Sequence, residues 1–185
     1  MIITDIKTYL PWGGTRAETL VKVETDEGIY GWGASGMSAR ELAVEGAVKH
    51  YREFLIGKNP MNAGALWQEM YRSQYFEGGR TLTAAISSID IALYDIVGKK
   101  LGVPVYDLLG GKHRNWVPTF ATGNGNSSEE MIDSAKKMIL EGFNCFRIHR
   151  AYEKEFKEGI YEPRESISET AEGLIKVREA VGNQP

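Results

Sequence analysis

Residues Thr81–Gly111, TLTAAISSIDIALYDIVGKKLGVPVYDLLGG, decide how the rest of the chain is read. In the first part Ala85, Ile89, Ala92, Leu93 and Ile96 recur at helical spacing, which predicts a helix with one apolar stripe. Thr83 is the expected N-cap, and Lys99 and Lys100 suit the negative end of the helix dipole. Gly102 is placed to end the helix in a left-handed conformation, and Pro104 prevents it from resuming. Two carboxylates, Asp90 and Asp95, interrupt the apolar run. A carboxylate taken out of water needs partners, so both are expected to tie the helix to neighbouring groups.

Upstream, Ile2–Tyr9 and Thr19–Thr25 read as strands, and Asp26-Glu27-Gly28 is a hairpin turn leading into a third strand, Ile29–Gly33. Ser38–Phe54 reads as a helix with Leu42, Ala43, Ala47, Tyr51 and Phe54 on its apolar side. Asn62–Gln74 reads as another, and Gly78-Gly79 breaks the chain after it. A three-stranded meander with several helices is an α+β domain. Downstream the order changes to strand Trp116–Ala121, helix to Leu140, strand Asn144–His149 and helix Ser166–Val181, the β-α-β-α order of a parallel sheet.

The wording AISSIDIALYDIVGKKLGVPVYDLLGG closely resembles the end of the capping domain in the enolase superfamily, in its mandelate racemase and muconate-lactonising branch. The resemblance implies an α+β capping domain over residues 1–112, followed over 113–185 by the first β-α units of a (β/α)8-type barrel, truncated. The stretch from Trp116 onward is far short of the roughly 250 residues of a barrel enzyme. The chain is therefore expected to be the front part of a longer protein.

Composition excludes several other classes. The chain has 185 residues, 42% hydrophobic and 25% charged, with a formal net charge of −3. That balance, with no dense Lys/Arg block, argues against nucleic-acid binding. No apolar run is expected to span a bilayer, and Met1–Leu10 has no signal-peptide character. The single cysteine, Cys145, cannot form an internal disulfide, which fits a cytoplasmic protein.

The sharpest chemical feature is Phe146-Arg147-Ile148-His149-Arg150. Strand alternation sends Phe146 and Ile148 to one side and Arg147 and His149 to the other, at the end of a strand where barrel enzymes keep their catalytic groups. In the resembling family this strand commonly ends Lys-x-Lys, the second lysine removing a proton alpha to a carboxylate. The departure here matters. Arginine stays protonated and can grip a carboxylate or stabilise charge, whereas histidine can act as base or acid. The resemblance therefore implies an acid-sugar dehydratase, with a racemase, epimerase or cycloisomerase as alternatives, and a non-catalytic capping or assembly fragment as a further one. It also implies a small-molecule carboxylate substrate and a homo-oligomer.

The same resemblance implies that the loop Pro11–Arg16 closes over the barrel mouth, where Trp12 would exclude water and Arg16 would meet an anionic substrate. Tyr152 is expected to border the site from the loop after that strand. His50 and His113 read as structural or exposed. Mg²⁺ is the expected cofactor, with its carboxylate ligands beyond Pro185; the acids Glu153, Glu155, Glu158, Glu162 and Glu165 read as a solvated loop and helix start. One competing motif is Gly123-Asn124-Gly125-Asn126-Ser127-Ser128, a partial dinucleotide fingerprint between strand and helix, whose third glycine position is Ser128.

Overall fold

A computed structural model describes residues 1–14, 16–76, 78–151 and 162–183. The chain divides into two compact units, Met1–His113 and Arg114–Pro185, each described by itself.

The first unit opens with an antiparallel meander, β1 (Ile3–Tyr9), β2 (Thr19–Thr25) and β3 (Tyr30–Ser35), in that order across the sheet. Helices α1 (Glu41–Leu55), α2 (Ala63–Arg72, entered through a 3-10 turn at Pro60–Asn62) and α3 (Gly79–Leu101) follow, and α4 (Val105–Leu108) is a single turn. Alternation sends Val21 and Val23 of β2 inward, and a register shift between Ile3 and Asp5 lets Ile3 and Ile6 of β1 both join them, in a core completed by Val44, Val48, Leu66, Met70, Ile89, Leu93 and Ile96. This is the α+β domain that the pattern predicts. The face of α1 differs from the expectation: Val44, Ala47, Val48, Tyr51 and Leu55 are buried, while Leu42 is 74% exposed. The helix starts at Glu41 rather than Ser38, and the stripe that meets the core runs through Val44 and Val48.

Helix α3 lies against β3 at backbone distance. A Cβ on Gly31 would stand 1.9 Å from the Ala92 carbonyl oxygen, and one on Gly33 the same distance from that of Ser88. Asp95 and Lys99 then reach past the helix to the strand's outer edge. The Trp32 backbone N–H donates to Asp95 Oδ2 at 2.9 Å, and Lys99 Nζ donates both to Asp95 Oδ2 (2.7 Å) and to the Tyr30 carbonyl (2.8 Å). An edge strand with free N–H and C=O groups invites foreign pairing, and here helix side chains occupy them. On the opposite edge Ile3 exchanges hydrogen bonds with Gly57 and Lys58.

The ends of α3 show one expectation met and one corrected. Gly102 is left-handed, its N–H bonds back to the last turn, and the Val103 N–H donates to the Gly98 carbonyl at 3.0 Å, a Schellman closure. Thr83 does not cap. The helix begins earlier, at Gly79, and the Thr83 hydroxyl donates to the Gly79 carbonyl inside the first turn. The membrane expectation also needs amending, since α3 is long and apolar enough by length and composition to cross a bilayer. Ala85, Ile89, Ala92, Leu93 and Ile96 are nevertheless fully buried in this unit, as in a core helix. Asp95 is tied in as expected, but Asp90 has no side-chain partner among the described residues: it is half-buried, and burial pushes its carboxyl above its ordinary value.

The second unit is a parallel pair, β4 (Ala121–Gly125) and β5 (Phe146–Arg150), with α5 (Ser128–Leu140) between them in sequence and α6 (Pro163–Val181) after them. The first strand is therefore displaced from the expected Trp116–Ala121, and Trp116 and Val117 are exposed. Gly123 and Gly125, which in isolation suggest a loop, are strand residues on which α5 sits. A Cβ on Gly123 would lie 2.3 Å from Ser134 Oγ, and one on Gly125 2.4 Å from the Met131 backbone nitrogen. Met131 and Ala135 of α5 and Val177 of α6 form the core, with Phe146 and Ile148 packed against it.

Gly31→Ala or Gly33→Ala is expected to cost about 2–4 kcal/mol, because the obstructing atoms are backbone. Gly46→Ala, in open space on α1, should instead stabilise by about 0.5–1 kcal/mol. Urea unfolding of the three variants checks both signs. Asp90 supplies a pH test. A carboxyl raised in the folded state binds its proton more tightly there, so stability falls as pH rises from the unfolded value of about 3.9 through the folded one. Asp90→Asn should melt above wild type at about pH 7 and lose that advantage at about pH 3.

Candidate functional site

The second unit presents a polar strand face. Gly123, Gly125, Phe146 and Ile148 face the helices, so alternation turns Thr122, Asn124, Arg147 and His149 to the other side. The parallel register pairs Thr122 with Arg147 and Asn124 with His149. All four are exposed, and none has a side-chain hydrogen bond or ion pair among the described residues. Asn124 and His149 are the penultimate residues of their strands, so they stand together at the C-terminal end of the sheet. Arg147 and His149 are brought together as the strand pattern requires, with α-carbons roughly 6.6 Å apart. A fixed positive charge beside an imidazole can hold a carboxylate and move a proton next to it.

Thr122 and Asn124 are the residues that sequence reasoning missed. The signal was present in the alternation T-G-N-G, in which the glycines mark the packed face and the polar residues the open one. Arg150, next on β5, is committed elsewhere, with an ion pair to Glu169 at 3.0 Å. Tyr152, Glu153, Glu155 and Glu158 lie outside the described residues. Glu162 accepts the Arg164 N–H as the N-cap of α6, and Glu165 is in that helix's first turn.

The first unit holds the two lid candidates. Trp12 is 70% exposed and forms an isolated antiparallel bridge with Ala17. Backbone bonds from Gly13 to Arg16 and from Glu18 to Pro11 close the loop into a small hairpin. Arg16 is already paired, its Nε donating to Glu18 Oε1 at 2.6 Å. A substrate anion would have to compete with that carboxylate. Trp12 and Arg16 thus belong to one unit, Arg147 and His149 to the other. His50 is exposed on α1, edge-on to Phe54, and His113 is exposed.

The partial dinucleotide motif has a structural account. Its glycines serve the approach of α5, and the start of α5 is occupied. The Ser127 hydroxyl accepts the Glu130 N–H, and Glu130 Oε2 accepts the Asn126 N–H. Glu129 adds a second carboxylate, held below its usual range by its own backbone N–H and the Ser127 hydroxyl. Two acids at a helix N-terminus take the place a phosphate would need.

A cavity of about 610 Å³ is bordered by Phe146, Arg147 and Ile148 of β5 and by Leu174, Val177 and Val181 of α6. Its lining takes in Arg147 but not His149. No group of three His, Cys, Asp or Glu side chains suited to a metal occurs among the described residues. The described residues therefore do not by themselves fit a Mg²⁺ site.

Residues 13–110 match the model of the mandelate racemase / muconate lactonizing enzyme N-terminal domain. The chain belongs to that family, within the enolase superfamily. It is 39% identical over 186 residues to a D-galactonate dehydratase of Pectobacterium atrosepticum, covering 99% of this chain and 46% of that protein. Among solved structures, an enolase from Pantoea ananatis with bound D-gluconate and Mg is 39% identical with a TM-score of 0.74, over 80% of this chain and 36% of that one. A putative dehydratase from Mesorhizobium loti matches 100% of this chain and 51% of its own, at 32% identity and a TM-score of 0.87. The family member described here thus spans about half the length of the relatives it matches.

Because Arg147 and His149 are exposed and have no side-chain partner among the described residues, Arg147→Met and His149→Asn should each leave stability within about 0.5 kcal/mol of wild type. Ile148→Ala, on the packed face, should cost about 1–3 kcal/mol. Thermal melts of the 185-residue chain distinguish the two faces without any assay of activity.

Proposed function

We propose that the full-length protein is an acid-sugar dehydratase, a hydro-lyase that converts an aldonate or aldarate to its 2-keto-3-deoxy acid. One observation carries the reading: Arg147 and His149 share the open face at the C-terminal end of β5 while Phe146 and Ile148 hold the strand to its helices. The D-galactonate dehydratase relative and the gluconate-bound family member support the substrate class. Arg147 neutralises the carboxylate and the charge that spreads onto it as the C2–H bond breaks. The β-hydroxyl leaves C3 as water with a proton from an acid, and the resulting enol becomes the 2-keto acid. His149 is the proton-transfer group on its side of the substrate, taking the proton at C2 or giving one to the departing hydroxyl. Mg²⁺ is the expected cofactor of the whole enzyme, held by carboxylates from the part of the relatives' length that this chain does not span.

The test is incubation of the full-length protein with a panel of sugar acids in D₂O, following C2–H exchange by NMR and keto-acid formation with semicarbazide. Wild type should show Mg²⁺-dependent keto acid, and His149→Asn should lower turnover by about 10²–10⁴-fold. Exchange lost with turnover marks His149 as the base; exchange kept while dehydration is lost marks it as the acid. Exchange without keto acid in wild type would point to a racemase or epimerase. Absence of both from the wild-type protein would sink the proposal, as would a fully active His149→Asn variant.

A further inference from the structure

We propose that Asn124 is a specificity-determining residue: its amide holds one hydroxyl of the sugar acid beside His149. The assignment rests on the dehydratase reading of this site and goes beyond it by naming a residue that chooses among sugar acids. Three observations carry it. The register sets Asn124 directly across from His149, so their α-carbons are about 4.8 Å apart on neighbouring parallel strands. Gly123 and Gly125 leave no freedom in which way Asn124 faces, because both are pressed onto α5, against Ser134 and Met131. The Asn124 side chain is exposed and makes no hydrogen bond among the described residues, although a nearby acid, Glu130, is tied into the cap of α5.

The chemistry of an amide fits a polyol. A hydroxyl both donates and accepts, and the Asn side chain offers an NH₂ donor and a carbonyl acceptor side by side. It is neutral, so it can grip a hydroxyl next to the imidazole without adding a charge that would disturb proton transfer there. Thr122, across from Arg147 and one layer deeper in the strand, has a shorter reach and lies beside the group assigned to the carboxylate. Asn124 therefore meets the substrate on the side of the reacting carbons, where aldonates differ from one another in hydroxyl configuration.

A site built to hydrogen-bond a hydroxyl discriminates against substrates that lack or misplace it, because the polar group is then left unpaired. The experiment uses the full-length enzyme, wild type and Asn124→Ala, with the preferred aldonate and a panel of its epimers and deoxy analogues, each altered at one hydroxyl. Asn124→Ala should lower kcat/KM for the preferred aldonate by about 100-fold while changing that for at least one single-hydroxyl analogue by less than about threefold. His149→Asn, run in parallel, should lower all of them together. An Asn124→Ala variant that loses equally on every substrate, or on none, overturns the assignment and leaves the dehydratase reading intact. A wild-type enzyme inactive on the whole panel overturns both.

Discussion

The first unit depends on α3 lying directly on the backbone of β3. That approach is possible only because Gly31 and Gly33 present no side chain where the Ala92 and Ser88 carbonyls arrive. Two consequences follow from the closeness. The helix brings Ile89, Leu93 and Ile96 into the core shared with α1 and the sheet. It also brings Asp95 and Lys99 within hydrogen-bond reach of Trp32 and Tyr30, so the free edge of β3 is satisfied by a helix instead of another strand. A carboxylate, an ammonium, an N–H and a C=O are thereby matched in one cluster, which explains how Asp95 sits beside the apolar stripe of the helix.

The second unit repeats the device for a different purpose. Gly123 and Gly125 let α5 settle onto β4, and this fixes which face of the strand pair is packed. The opposite face is left with Thr122, Asn124, Arg147 and His149, whose only described constraint is the strand itself. The packed face of glycines and Phe146 thus fixes the backbone from which these exposed polar side chains project. The cluster at the start of α5, where Ser127 and Glu130 cap the helix, serves the same packing and accounts for a sequence that otherwise looks like a phosphate loop.

Much of this was legible in the residues. The apolar period of Thr81–Gly111, its left-handed stop at Gly102 and the alternation of Phe146–Arg150 are local properties, set by steric rules that act over a few residues. What failed was equally local in appearance. Thr83 has the chemistry of an N-cap but bonds within the first turn, because Gly79 had already started the helix. The strand expected at Trp116–Ala121 lies at Ala121–Gly125, because glycines that mark loops in isolation are required where a helix presses on a strand. That misplacement concealed Thr122 and Asn124.

The sequence by itself determined the family, the order of elements and the identity of the basic pair on the last strand, because wording and periodicity survive without knowledge of what packs on what. Only the tertiary structure decided which glycines are contacts rather than turns, that Asp95 has partners while Asp90 has no side-chain partner among the described residues, and that Asn124 stands across from His149. The reason is that each of these depends on a second segment, remote in the chain, whose distance and register no local pattern encodes.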